Sequence, residues 1–281
     1  MAGDGSDIPY LLGHGFECFQ LNFFRKAPPN LKKLAERVNR DLEGSQAVIS
    51  SIAIFGNPMG ETENDKVVLK AWRDAIDNAH RFGTDLVCGF TGAVEGASVP
   101  DSMKRFKQVW KPLAKRAADQ GVRLAFENCT MGGTWERTTC NLAFNPDGWE
   151  LIFDALPEDH VGLEWEPCHQ LVQLIDPMPQ LREWVGKIFH VHGKDATVDH
   201  DRIRRRGIFG AAPWEWHRHP GFGDSNWTDI ISELRRGGFT GCIDIEGWHD
   251  PVYKGDLEMT GQVHALKYLI NARGGYFVPN P

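Results

Sequence analysis

Four short strand-like segments in the second half of the chain carry charged or imidazole side chains at alternate positions. These residues are Glu127, Glu164, Glu166, His190, His192, Lys194, Asp244 and Glu246. Side chains of a strand alternate between its two faces, so the polar residues of each segment share one face. A cluster of carboxylates with imidazole suits a divalent cation, with Mn²⁺ favoured and Mg²⁺, Co²⁺ or Zn²⁺ as alternatives.

A second interpretation of these residues is purely structural. A single buried glutamate can pair with a cation such as Arg123 or Lys194, because buried carboxylates need partners. Four segments that repeat the same polar pattern favour a cation site over four separate ion pairs.

The polar segments belong to a longer alternation of strand-like and helical patterns. The predicted strands are Phe16–Phe23, Val48–Phe55, Asp85–Phe90, Arg123–Asn128, Val161–Glu166, Ile188–Lys194 and Cys242–Gly247. The predicted helices between them include Asn30–Glu43, Asn64–Phe82, Ser102–Gln120 and Trp227–Arg236. This α/β pattern predicts a parallel sheet closed as a (β/α)₈ TIM barrel, with active-site residues at the carboxyl ends of its strands.

The barrel pattern is incomplete at its start. Only seven strands are convincing, and Ile8–Leu12 is the only short candidate for a strand before them. The pattern predicts a weak or missing first strand. It also predicts a single domain over residues 1–281, because no linker or low-complexity segment interrupts the chain.

The longest segment without a clear pattern is Ala196–Asn226. It is too aromatic for a disordered segment, so we expect an ordered lid. Its run Arg204–Arg206 is either a solvated surface or a clamp for a substrate phosphate or carboxylate.

Composition narrows the class of protein. A net charge of −7 disfavours a nucleic-acid partner. The six cysteines form no CxxC pair, which predicts reduced thiols in a cytoplasmic protein. Neither a signal peptide nor a membrane span is expected. The 10 Trp and 16 Phe residues predict an aromatic core, a sugar pocket or both, and the incomplete barrel predicts a homodimer.

Several motifs resemble the xylose isomerase-like TIM-barrel superfamily, the sugar phosphate isomerases and epimerases. They are Phe126-Glu127-Asn128, the stretch Val161–His169, Ile188–Asp195 with its HxHxKD pattern, Pro220–Asp224 followed by Trp227, and Ile243–Glu246. Their order and spacing match the superfamily over roughly residues 121–270, whereas the upstream half agrees only in its βα pattern.

The resemblance implies a role for each matched residue. It implies metal ligation by Glu127, Glu166, His192 and Glu246. It implies Glu127, Glu246 and His169 as groups that move protons. Lys194, His190, Asp195 and Glu164 are expected on the substrate side of the site. Glu166 stands where the family usually has Asp, so Glu164 is an alternative ligand. Val198 stands where the ketose 3-epimerase branch has Arg, which disfavours epimerisation of a free ketose at C3.

The resemblance also implies a reaction class. A divalent ion would polarise the carbonyl of a sugar or keto sugar, and a carboxylate would take the adjacent proton to give an enediolate. The expected protein is a metal-dependent isomerase or epimerase. Two alternatives remain: a lyase that eliminates a β-substituent from a 3-keto-glycoside, and a non-catalytic sugar-binding barrel.

Overall fold

The computed structural model describes residues 3–25, 30–247 and 249–280. Within these residues the strands are β1 (Cys18–Phe24), β2 (Val48–Phe55), β3 (Leu86–Gly89), β4 (Arg123–Glu127), β5 (Val161–Trp165), β6 (Ile188–Gly193), β7 (Asp195–Val198), β8 (Glu215–Arg218) and β9 (Ile243–Ile245). The α-helices are α1 (Ile8–Leu12), α2 (Leu31–Asp41), α3 (Glu63–Asn78), α4 (Val99–Asp119), α5 (Pro146–Ala155), α6 (Cys168–Leu171), α7 (Pro177–Trp184), α8 (His200–Arg206), α9 (Trp227–Arg236) and α10 (Glu258–Ala272). Short 3₁₀ turns lie at Ala79–Phe82, Val185–Lys187 and Gly255–Leu257.

Local sequence explains where most of the helices begin. The side chain of Asn145 accepts a hydrogen bond from the backbone N–H of Gly148, and Pro146 takes the first helical position of α5. Asn226 caps α9 in the same way, through the N–H of Asp229. Thr62 and Asp65 form a reciprocal capping box at the start of α3. The starts of α5 and α9 thus depend on residues close in sequence.

The described residues group into two compact units. The first contains residues 1–165 and 187–190, and the second contains residues 166–186 and 191–281. The assignment of residues 1–281 to a single domain stays a prediction.

A parallel sheet forms the centre of the first unit, with strand order β1-β2-β3-β4-β5 and then the start of β6. Strands β1 to β5 pair in parallel, each with the next one in the chain, and helices lie between them in sequence. The register aligns Glu127 at the end of β4 with Glu164 on β5. This is the strand arrangement predicted from the βα pattern.

Much of the aromatic content belongs to the core. Trp72 and Trp110 are fully buried and pack edge to face with ring centroids 4.8 Å apart. Phe126 packs against Trp110 at 4.5 Å. Trp72 lies on α3, Trp110 on α4 and Phe126 on β4, so these rings pack the two helices against the sheet. Their burial stabilises the packing, because a large buried ring removes much apolar surface from water.

In the second unit, the end of β6 pairs in parallel with β9, and His192 lies opposite Asp244. Strands β7 and β8 lie between them in sequence but form a separate antiparallel pair. The segment Ala196–Asn226 is ordered, as expected, and it contains most of β7 together with α8 and β8. Its strand pairing joins residues far apart in sequence, which local patterns do not show. Its role as a lid stays a prediction.

The start of the chain agrees with the prediction of a missing first strand. Residues Ile8–Leu12 form the short helix α1, and Pro9 occupies one of its first positions. In the described residues, β1 is thus the first strand of the parallel sheet.

None of the helices in the described part of the chain combines the length and the apolar character that a bilayer-spanning helix requires.

Candidate metal and substrate site

Two carboxylates and an imidazole come together in the second unit. Glu166 follows β5 directly, His192 lies near the end of β6, and Glu246 follows β9. Each offers one ligand atom, and these atoms lie within 4.8 Å of one another. All three side chains are buried. A site with carboxylate oxygens and one imidazole fits the divalent ions expected from the sequence.

Lys194 supplies the positive charge of this cluster. Its Nζ lies 2.9 Å from Oε1 of Glu246 and 3.9 Å from Oε1 of Glu166. The side chain of Lys194 is only 4% exposed, so the charge is removed from solvent together with its partners. Buried charges are stable only when paired, and this lysine pairs with both carboxylates.

Glu246 is held in its ionised form. Burial by itself would raise the pKa of Glu246, but Lys194 and His192 outweigh it and hold the pKa well below its usual range. Nδ1 of His192 lies 3.3 Å from Oε2 of Glu246. A carboxylate that stays ionised can ligate a cation throughout the neutral pH range.

His169 lies at the edge of the same cluster. It follows Cys168 in the first turn of α6, and its Nε2 is 2.8 Å from Oε1 of Glu166. Only Pro167 and Cys168 separate Glu166 from His169, and Pro167 ends the extended backbone. The catalytic role of His169 stays a prediction.

Asp195 is buried and occupied by hydrogen bonds within the protein. One oxygen accepts hydrogen bonds from the N–H groups of Ala196 and Ser225, and the other accepts from the indole Nε1 of Trp227. Burial raises the pKa of Asp195, and the hydrogen bonds from Ser225 act in the opposite sense. These contacts fix the start of β7 to the start of α9. A direct contact of Asp195 with substrate stays a prediction.

Glu164 and His190 form a buried pair in the first unit. Nδ1 of His190 lies 3.1 Å from Oε1 of Glu164, and the amide nitrogen of Gln20 donates to the same oxygen. Gln20 also donates to the hydroxyl of Ser51, at 2.9 Å. The pair thus belongs to a hydrogen-bonded network that includes β1 and β2. Substrate binding by Glu164 and His190 stays a prediction.

Glu127 ends β4 in the first unit and is buried. The amide of Asn141 donates to the carbonyl oxygens of Glu127 and Cys129, at 2.8 Å each, which fixes the backbone after the strand. The carboxylate of Glu127 as a metal ligand and proton acceptor stays a prediction.

The arginine run contributes to a separate cavity of about 260 Å³. Its lining residues are Asp199, Arg202, Arg205 and Arg206. Arg204 pairs with Asp201 on the surface of α8. The function of this run as an anion clamp stays a prediction.

Sequence analysis did not single out two histidines near the site. The rings of His217 and His169 are 5.3 Å apart, and those of His217 and His249 are 5.7 Å apart. Burial, reinforced by Lys194 and the neighbouring histidines, lowers the pKa of His217 to about 3. His249 has a φ of 77°, a conformation that non-glycine residues rarely adopt outside constrained sites. The aromatic content of the segment Ala196–Asn226 was the local signal for His217.

Asp250 connects the segments that carry His217 and His249. Its carboxylate accepts hydrogen bonds from the N–H of His219 and from Nε of Arg218, at 3.0 and 3.1 Å. It also accepts from the N–H groups of Val252 and Tyr253. The end of β8, just after His217, is thereby bound to the turn that follows His249.

Comparison with known proteins agrees with this architecture. Residues 9–271 match the model of the family described as xylose isomerase-like TIM barrel. The chain belongs to this family. The resemblance inferred from the motifs is confirmed, and so is the TIM-barrel fold class.

Relatives of this xylose isomerase-like barrel include enzymes with different reactions. It is 23% identical over 269 residues to an inosose dehydratase of Clostridium perfringens, covering 87% of this chain and 82% of the relative. It is 27% identical over 172 residues to an uncharacterised protein of Bacillus subtilis, covering 58% of this chain and about half (51%) of the relative.

A solved structure shares the fold. The 3-keto-D-glucoside 4-epimerase of E. coli superposes with a TM-score of 0.68 and 16% identity, covering 95% of each chain. At that identity the likeness establishes the fold alone.

Proposed function

We propose that the protein is a divalent-metal-dependent isomerase or epimerase that acts on a sugar or keto sugar by proton abstraction next to the carbonyl. The observation that carries the proposal is the buried group of Glu166, His192 and Glu246, with Lys194 bound to its carboxylates. Such a concentration of buried ionisable groups is costly for stability and is typical of functional sites.

The metal would be held by Glu166, His192 and Glu246, with Glu127 as the fourth ligand proposed from the sequence. Manganese is the proposed ion, because carboxylate-rich sites with one imidazole suit it, and magnesium, cobalt or zinc are the alternatives. When bound, the ion would polarise the substrate carbonyl as a Lewis acid.

The residues of the chain would perform the proton transfers. Glu127 and Glu246 are the proposed pair that removes a proton from the carbon next to the carbonyl and returns one. Lys194 would stabilise negative charge that develops on the substrate oxygen. His169, in contact with Glu166, is the proposed additional proton carrier.

A second candidate function is a lyase. The similarity to an inosose dehydratase over 82% of that enzyme favours it. Proton abstraction would be the same, and loss of a β-substituent from the intermediate would replace reprotonation. Glu127 or His169 would then give the proton to the leaving group.

Solvent-exchange measurements test these proposals together. The chelated protein is titrated with Mn²⁺ in D₂O and incubated with free, phosphorylated and 3-keto sugars. Metal-dependent deuterium incorporation into a recovered sugar supports an isomerase or epimerase, whereas an unsaturated product supports a lyase. Binding of a sugar with neither outcome would make the protein a non-catalytic binder and overturn the proposal.

A pair of variants links the activity to the site. Glu246→Gln should lose metal binding and exchange, whereas Glu63→Gln, in an exposed ion pair of α3, should keep both. Exchange at the wild-type rate in Glu246→Gln would refute the assignment. The small-molecule substrate, the cytoplasmic location and the homodimer remain parts of this proposal.

A further inference from the structure

A second group of metal-binding side chains lies beside the proposed site. Cys168 and His169 are consecutive residues at the start of α6, and His217 lies on β8. Each offers one ligand atom, and the three atoms lie within 4.8 Å of one another. Cys168 and His169 are buried, and His217 is mostly buried.

We propose that Cys168, His169 and His217 form a second metal site, for a thiophilic divalent ion such as Zn²⁺. A sulfur and two imidazole nitrogens are softer ligands than the carboxylates of Glu166 and Glu246. Such a set selects zinc or cobalt over manganese and magnesium, which prefer oxygen ligands. The two sites would therefore bind different ions.

The contact between His169 and Glu166 supports a metal-binding orientation. A histidine that ligates a metal through one ring nitrogen usually gives its other N–H to a carboxylate, which fixes the ring and its tautomer. Nε2 of His169 lies 2.8 Å from Oε1 of Glu166. Glu166 would thus orient a ligand of the second site.

His217 offers a buried ring nitrogen to the ion. Its Nδ1 is buried and makes no hydrogen bond within the described residues. The antiparallel pairing of β7 and β8 places His217 opposite Ala196, two residues after Lys194.

Three protein ligands leave a fourth position for water or a substrate hydroxyl. The proposal goes beyond the proposed function and does not rest on it, because its test needs no substrate and no turnover.

Cobalt is the probe, since thiolate ligation to Co²⁺ produces a charge-transfer band in the near ultraviolet that carboxylate and imidazole ligation do not produce. Titration of the chelated wild-type protein with Co²⁺ should produce this band. Cys168→Ser should abolish it, while Cys242→Ser, which removes a half-buried thiol of the same unit, should leave it unchanged.

His217→Gln provides a second arm that keeps every cysteine. Loss of a ligand should weaken the Co²⁺ affinity reported by the band by about tenfold or more, because even outer partners of a metal site contribute about 10–100-fold. Circular dichroism would verify that each variant is folded. Saturation with Co²⁺ without the band, or a band that survives in Cys168→Ser, would overturn the proposal.

Discussion

The Nζ of Lys194 lies 2.9 Å from one carboxylate oxygen of Glu246 and 3.9 Å from one of Glu166. Glu166 and Glu246 are also the carboxylates proposed to bind the metal. Lys194 and the proposed metal would therefore share the same two partners, and the lysine reduces the electrostatic repulsion between the carboxylates. This relationship makes the stability of the metal-free protein depend on Lys194.

Removal of the lysine charge should be costly. We expect Lys194→Met to lower the free energy of unfolding of the chelated protein by about 3–5 kcal/mol, because two buried carboxylates lose their cation. Saturating Mn²⁺ should raise the free energy of unfolding of Lys194→Met by more than it raises that of the wild type. Urea unfolding with and without the metal measures both effects.

The matched control is Lys70→Met. Lys70 pairs with Asp74 on the exposed surface of α3, and an exposed pair contributes less than about 1 kcal/mol. Equal losses in the two variants would show that Lys194 has no special role in the cluster.

Variants of His169 and Lys194 should lose catalysis without losing metal binding. We expect His169→Ala and Lys194→Ala to remain folded and to bind Mn²⁺ while losing most proton exchange. Removal of an interaction made mainly in the transition state lowers kcat and kcat/KM together. Steady-state exchange rates and metal analysis of the same samples provide both readouts.

His80→Ala is the control for this pair, because His80 is exposed. It should keep wild-type exchange. Wild-type exchange in both His169→Ala and Lys194→Ala would assign the two residues to the scaffold and leave the proton transfers to Glu127 and Glu246.

The backbone of the site should depend on the contact between Asp195 and Trp227. Asp195→Asn and Trp227→Phe each disturb the hydrogen bond from the indole nitrogen to the carboxylate, and each should destabilise the protein by about 1–3 kcal/mol. The double variant should lose less than the sum, with a coupling of about 0.5–3 kcal/mol. Urea unfolding of all four proteins completes the cycle.

Trp214→Phe is a suitable comparison, because the indole nitrogen of Trp214 donates to the carbonyl of Ile208 rather than to Asp195. Its effect should add to that of Asp195→Asn. If the effects of Asp195→Asn and Trp227→Phe on the free energy of unfolding were also additive, the positioning role of Asp195 would be contradicted.

The low pKa of His217 predicts a pH dependence of stability. The imidazole has a pKa of about 3 in the folded protein and about 6.5 when unfolded, so between these values the unfolded state binds more protons. Stability from this residue is therefore complete above pH 6.5 and is lost as the pH falls towards 3. The loss between pH 7 and 5 should be about 1–2 kcal/mol.

His217→Gln tests this directly, because glutamine does not titrate. Unfolding free energies at pH 7 and pH 5 should differ less in the variant than in the wild type. An identical difference in the two proteins would mean that His217 is protonated in the folded state as easily as in water.

Several features of this protein follow from the sequence alone. The strand and helix pattern predicts the parallel sheet, because period-two and period-3.6 patterns directly reflect which faces are buried. The helix caps at Asn145 and Asn226 also depend on local sequence, because each side chain binds an N–H group three residues later. The sequence also predicts that His190 and His192 share a face of β6, since alternation along one strand needs no tertiary information.

The partners of each polar residue depend on the tertiary structure. Sequence parity places Glu246 and Lys194 on particular faces but does not determine that they form an ion pair. The hairpin of β7 and β8 joins residues on either side of α8, and this pairing brings His217 towards His169. Such contacts arise from strand register and from the burial of charge, which depend on the whole fold and leave no periodic signal in the chain.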